Sequence, residues 1–187
     1  MRLYRTVYAD PPWNESGGGK IKRGADRHYP LMKTVEIIEY MKQIPVDVNA
    51  HLYLWVTNNH LRDGLEVVDA LGFRYVTNIV WVKNHYGLGQ YFRGQHELCL
   101  FCVKGCLPFK KMVNAIRSCC EFPSVIHEKK KDHSEKPRLM YQFIEGTSYE
   151  PFVEVFAREH RDGWDVMGDE CPGTIQRGLN MVFGDDV

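Results

Sequence analysis

Apolar positions switch between a spacing of two and a spacing of three to four along the 187 residues, and the switches mark out the elements. Residues 5–9 form a short β-prone run that Asp10-Pro11-Pro12 stops, because neither strand nor helix crosses two prolines. Ile37, Ile38, Met41 and Ile44 share one helical face and predict an amphipathic helix over about 33–44. Residues 51–57 read as an apolar strand with turn residues Asn58-Asn59 after it. Leu61, Leu65 and Val68 then predict a helix capped by Gly72. Residues 73–83 and 97–103 read as long strands and 124–127 as a short one. Pro137 suits the first position of a helix reaching about Glu145, and 152–157 and 164–167 complete the strands.

Nearly all-apolar strands alternating with helices predict an α/β fold with a mostly parallel sheet covered on both faces. Ligands in such sheets bind beyond the carboxyl ends of the strands, where the chain order reverses. The loops after Ala9, Val82 and Ala157 are therefore where chemistry is expected. Three long connections, 14–30, 84–95 and 104–134, interleave Gly or Pro with basic and aromatic residues, and loops of that length tend to be functional.

Composition narrows the class. With 44% hydrophobic and 26% charged residues, the chain reads as one globular domain over 1–187, with a tail from about 171 that lacks periodicity. No apolar run approaches the roughly 20 residues that span a bilayer, so no membrane role is expected. The N-terminus lacks a signal peptide's apolar core, which predicts a cytoplasmic protein whose six cysteines are reduced thiols. The formal net charge is zero, which on its face speaks against a nucleic-acid partner. Its distribution says otherwise: 10 basic and 9 acidic residues over 1–82, 11 and 5 over 83–138, and 3 and 10 over 139–187. The middle segment is basic and the last is acidic.

The segment with chemical content is Asp10-Pro11-Pro12-Trp13, placed directly after a strand. Two prolines contribute no N–H donors, so the turn presents acceptors only: the Asp10 carboxylate and backbone carbonyls. A rigid acceptor cluster suits an –NH₂ group whose two hydrogens must both be satisfied. Trp13 offers a plane on which a base could stack. Gripping the amino hydrogens would free a nitrogen lone pair otherwise delocalised into the base, a stabilisation aimed at the transition state. The residues alone equally allow a plain strand-ending turn with a partly buried Trp.

At these residues the chain resembles the DPPW-type family of S-adenosylmethionine-dependent adenine N6-methyltransferases. That family includes the writers of N6-methyladenosine in messenger RNA and bacterial and phage DNA enzymes. The likeness continues in order through Leu54-Trp55-Val56-Thr57-Asn58, Ile79-Val80-Trp81-Val82-Lys83, Glu97-Leu98-Cys99-Leu100, Glu135-Lys136-Pro137, Glu154-Val155-Phe156-Ala157-Arg158 and Gly168-Asp169-Glu170. It implies a doubly wound, Rossmann-like methyltransferase sheet with permuted motif order, which accounts for the missing G-x-G-x-x-G. It implies catalysis at Asp10, Pro11, Pro12 and Trp13, with Asp10 also touching the cofactor. By the same resemblance S-adenosylmethionine is held by Lys136, Glu154, Phe156, Arg158, Asp169 and Glu170. Trp13, Tyr29 and Lys83 lie on the substrate side. A duplex target would have to be flipped out of its stack. Asp169 departs from the Asn common in the family, and Glu159-His160-Arg161 also differs.

His96, Cys99, Cys102 and Cys106 have spacings that suggest zinc. Cys99 and Cys102, an odd interval apart on a strand, would point to opposite faces, so no metal site is expected. Lys129-Lys130-Lys131, Lys110, Lys111, Arg117, Arg138 and the first-loop Lys20, Lys22, Arg23 and Arg27 are expected to form a phosphate-tracking surface. The expectation is an adenine-N6 methyltransferase acting on DNA in a bacterial or phage-infected cell, as a monomer or homodimer. RNA adenosine methylation and a catalytically silent nucleic-acid-binding partner are the alternatives.

Overall fold

The structure is a computed structural model and describes residues 2–14, 31–87, 91–110, 122–129, 135–168 and 171. Within these residues the chain forms β1 (Tyr4–Ala9), α1 (Thr34–Lys42), β2 (Val46–Val56), α2 (Leu61–Ala70), β3 (Arg74–Val82), β4 (His96–Lys104), β5 (Val125–His127), α3 (Leu139–Thr147), β6 (Phe152–Val155) and β7 (Trp164–Met167). One seven-stranded sheet has the order β5-β3-β4-β2-β1-β6-β7. Strand β4 is antiparallel to both neighbours, and every other pairing is parallel. The single reversal has a local cause. Strands β3 and β4 follow one another along the chain and pair antiparallel, so they need no crossover between them.

From β1 the chain passes through α1 to β2 on one side, and later through α3 to β6 on the other. The order therefore reverses at β1, which makes the sheet doubly wound, as expected. Alternation of side chains builds two layers. Val7, Ala9, Leu52, Leu54, Leu100 and Cys102 pack with Ile37, Ile38 and Met41 of α1 and Val67 and Val68 of α2. Tyr8, Tyr53, Trp55, Trp81, Cys99 and Phe101 pack with Met140, Phe143 and Ile144 of α3. Cys99 and Cys102 thus face opposite layers, as their odd spacing requires.

Several boundaries differ from the sequence pattern, each for a physical reason. Strand β2 starts at Val46, five residues early, because Tyr4 of β1 pairs with it there despite the polar residues between. Phe73 does not belong to β3. It closes α2 in a Schellman motif, its N–H donating to the Val68 carbonyl (3.0 Å) while Gly72, at φ 72°, donates to Asp69 (3.0 Å). The buried face of α2 is Gly64, Val67 and Val68, whereas Leu61 is left exposed. A Cβ at Gly64 would overlap the Val56 side chain and lie 3.3 Å from Leu100 Cδ1. Helix α2 therefore meets the sheet through a missing side chain, a contact that apolar periodicity does not reveal. Helix α3 is assigned from Leu139, following a turn in which Met140 N–H donates to Pro137 (3.1 Å).

Gly64→Val should overpack this contact and cost about 1–3 kcal/mol. A urea unfolding curve with a lower midpoint and an unchanged slope checks it.

Candidate active site

Six of the seven strands point their carboxyl ends to one edge, and antiparallel β4 brings its first residues to the same edge. Period-two alternation then decides which side chains meet. Asp10 follows Tyr8, Lys83 follows Trp81, Glu97 precedes Cys99 and Glu154 follows Phe152, each two residues from a member of the α3-side layer. All four therefore emerge on that face, beyond the apolar core.

Lys136, just before α3, reaches across this edge. Its ammonium donates to Asp10 Oδ2 at 2.7 Å, lies 3.4 Å from Glu97 Oε2, and stands 5.5 Å from the centroid of the Trp55 ring. Lys83 pairs with the other Glu97 oxygen and sits 5.0 Å over the Trp81 ring. The charges form one chain, Lys83–Glu97–Lys136–Asp10. The side chains of Lys136, Glu97 and Asp10 are 14%, 16% and 25% exposed, so water screens them weakly. Burial pushes the Asp10 carboxyl above its usual range, against the pull of Lys136. Burial also works against ionised Glu97, but Lys136 and Lys83 together outweigh it and hold that carboxyl low. For Lys136 the desolvation that would release its proton is overcome by Asp10 and Glu97, so it stays a cation.

The Asp10 turn is held from below. Trp13 N–H donates to the Pro11 carbonyl at 2.9 Å, and Met32 N–H to the Pro12 carbonyl at 2.8 Å. The Trp13 indole N–H donates to Trp55 O at 3.0 Å, and its ring stacks on His60 at 5.4 Å and 19°. Trp13 is 5% exposed, so it is not the open aromatic plane the sequence suggested. Its indole is the anchor of the turn. The Pro11 and Pro12 carbonyls each accept one of these backbone bonds and each keep a second acceptor lone pair.

Next to β1, Glu154 on β6 accepts from Tyr141 OH at 3.0 and 2.9 Å. Burial raises its carboxyl from 4.5 to about 7; the Tyr141 bond opposes this and the Asp10 charge adds to it. Phe156 follows the strand with φ 62° and stacks on Tyr40 of α1 at 4.9 Å. Arg158 is exposed and near enough for its charge to favour ionised Asp10. A Cβ at Gly168 would overlap the Ala157 carbonyl, so only glycine lets the ends of β6 and β7 lie this close.

Asp10, Pro11, Pro12, Trp13, Lys83, Lys136, Glu154, Phe156 and Arg158 thus gather at the carboxyl edge of β1, β3 and β6 and the segment before α3. Tyr29, Asp169 and Glu170 lie outside the described residues, as do Lys20, Lys22, Arg23, Arg27, Lys111, Arg117, Lys130 and Lys131. One cation expected on the phosphate-tracking surface is engaged elsewhere: Lys110 donates to Glu145 O (3.1 Å) and lies 5.7 Å over the Tyr149 ring, beside the C-terminus of α3. Arg138, two residues from Lys136, stays exposed and pairs with Glu135 at 3.1 Å. Glu97 and His60 were missed. A lone carboxylate at the start of an apolar strand was the available signal for Glu97, since such a group needs a partner when buried. Among the described residues no cluster of His, Cys, Asp and Glu could hold a metal, and no helix is long and apolar enough to cross a membrane.

The donor set suits a small cationic cofactor. Burial raises both the Asp10 and the Glu154 carboxyls, with the Glu97 charge adding to the first and the Asp10 charge to the second, so a bound positive charge would relieve both. Comparison with known proteins gives the relatives of the chain. The MT-A70 family model matches residues 4–170. The Type II methyltransferase M.MunI of Mycoplasma sp is 30% identical over 91% of this chain and 79% of its own length. A putative N(6)-adenosine-methyltransferase MT-A70-like of Medicago truncatula is 26% identical over 96% of this chain, and the N(6)-adenosine-methyltransferase catalytic subunit METTL3 of Homo sapiens 27% over 91%. The chain spans only 29% and 28% of those two proteins.

Lys136→Met should leave two carboxylates without their shared cation and destabilise the protein by roughly 3 kcal/mol, measured by denaturant unfolding. Glu154 has the opposite sign to an ordinary ion-paired carboxyl. Its folded-state value lies above the unfolded one, so stability falls as pH rises from 4.5 towards about 7. Melting temperature measured across that window should decline in the ligand-free protein, and Glu154→Gln should flatten the decline.

Proposed function

This chain belongs to the MT-A70 family, and from that premise we propose that it methylates the N6 amino group of adenine in DNA, with S-adenosylmethionine as donor. The observation that supports the reading most is the Asp10 carboxylate, oriented by Lys136 at the switch point of the sheet in a turn where both prolines lack N–H donors. Lys136 engages one oxygen of Asp10, and a carboxylate has acceptor capacity for further hydrogens. Asp10 and the Pro11 carbonyl would hold the amino hydrogens and orient the nitrogen lone pair. Trp13 serves by fixing this turn to β2 through Trp55, and the target base must stack on another group.

S-adenosylmethionine, when bound, supplies a methyl group on a positively charged sulfur. Glu154, Asp10, Phe156 and Arg158 would line its site, with Asp169 and Glu170 following β7, and Lys136 would be shared between Asp10 and the carboxylate of its methionine part. Glu97 acts through Lys136, keeping it charged and in place. DNA is preferred over RNA because M.MunI, whose length this chain covers by 79%, is a Type II methyltransferase. The N(6)-adenosine relatives keep RNA as the second reading. A silent binding role fits poorly with an acidic residue retained and ion-paired at position 10.

Incubation with labelled cofactor and matched DNA and RNA, followed by nucleoside analysis, tests the assignment. N6-methyldeoxyadenosine is expected. Label confined to RNA would overturn the DNA assignment, and no label in either polymer would sink the enzyme reading. Asp10→Ala should lower kcat by about 10²–10³-fold, the scale seen when one preorganised transition-state contact is removed.

A further inference from the structure

The hairpin between β3 and β4 leaves the sheet at the same edge as Asp10. Lys83 N–H donates to Gln95 O (2.7 Å) and Gly87 N–H to Gly94 O (2.6 Å), so the two arms stay together beyond the strands. Its root is Lys83 and Glu97, the same pair that continues through Lys136 to Asp10. Its outer part places aromatic rings in water: Tyr86 is 68% exposed, Phe92 86% and Tyr91 fully so. Tyr91 also has φ 58°, a left-handed conformation that costs a non-glycine residue about 1–2 kcal/mol. Exposed rings on a strained backbone are retained against both solvation and strain, a combination that points to a ligand.

The chemistry around the rings selects the ligand. Residues 84–95 contain Arg93 and His85 and no Asp or Glu, and Lys83 and His96 flank them. Flat rings beside a cation and free of carboxylates match bases alternating with phosphates. Tyr91 lies four residues from Gln95 along the chain and so within about 14 Å of it, a span of a few stacked nucleotides. We propose that this hairpin is a nucleic-acid contact in which Tyr91 and Phe92 stack on bases flanking the target adenine and Arg93 binds an intervening phosphate. The proposal rests on the nucleic-acid substrate class inferred above and adds where the polymer lies.

The test compares wild type with Tyr91→Ala/Phe92→Ala by fluorescence anisotropy on a labelled adenine-containing oligonucleotide, alongside gel filtration and methyl transfer. The double variant should fold and melt as wild type, bind the oligonucleotide at least about tenfold more weakly, and raise KM with little change in kcat. Tyr91→Trp/Phe92→Trp should keep wild-type affinity. Arg93→Gln should reduce the slope of log Kd against log salt by roughly 0.7–0.9. Unchanged oligonucleotide affinity in the double alanine variant overturns the proposal. So does a change in mass on gel filtration at unchanged affinity, which would make the hairpin a self-association surface. Wild type that binds oligonucleotide through these residues yet transfers no methyl would leave the contact standing and overturn the enzymatic reading instead.

Discussion

The ammonium of Lys136 stands over the Trp55 ring on β2 and bonds outward to Asp10 on β1 and Glu97 at the start of β4. One cation therefore bridges three adjacent strands from the segment that leads into α3. A partly desolvated charge tolerates such a position only with opposite charges beside it, and each carboxylate in turn tolerates burial only because the lysine is there. The position of Asp10, the entry of α3 and the register of β4 at its first turn of chain are consequently coupled. The acceptor turn cannot be displaced without stranding a charge.

A second set of constraints supports the same point from the core. Trp13 is anchored on the Trp55 carbonyl, and the Trp55 indole in turn donates to Tyr8 OH at 2.8 Å. The residue two before Asp10 and the ring beneath Lys136 belong to one aromatic unit on the α3 side, and Trp13, in the opposite layer, is tied to it through the Trp55 backbone. Removing water from this unit strengthens every electrostatic interaction at its rim. It also explains why the carboxyl of Glu154, placed at the same rim with a hydroxyl bond and only the charge of Arg161 to oppose its burial, is pushed up while that of Glu97 is held down by two lysines. The site has a compensated half near β4 and an undercompensated half near β6, and the second is where a cationic cofactor suits the charge balance.

Much of this was legible before any coordinates. Prolines after a β-prone run marked the end of β1, and alternation assigned Cys99 and Cys102 to opposite faces. Clusters of apolar residues located every strand and helix to within a few positions. What failed did so for identifiable reasons. Trp13 was read as a stacking surface because an aromatic ring's exposure depends on what covers it, here Trp55 and His60 from a different strand end. The buried face of α2 turned on Gly64, where the decisive feature is an absent side chain. Lys110 was grouped by charge with the binding surface, yet its partner lies at the C-terminus of α3.

Local order along the chain determined the fold class, the acceptor-only turn at Asp10 and the face on which Asp10, Lys83, Glu97 and Glu154 emerge, because a two-residue period is a property of the strand itself. Which of these groups would be neighbours was not a local property. Strand order and register bring position 10 near 97, the entry into α3 brings 136 between them, and only proximity in a dry environment turns isolated charges into a coupled set with displaced proton affinities. The tertiary structure decided that coupling.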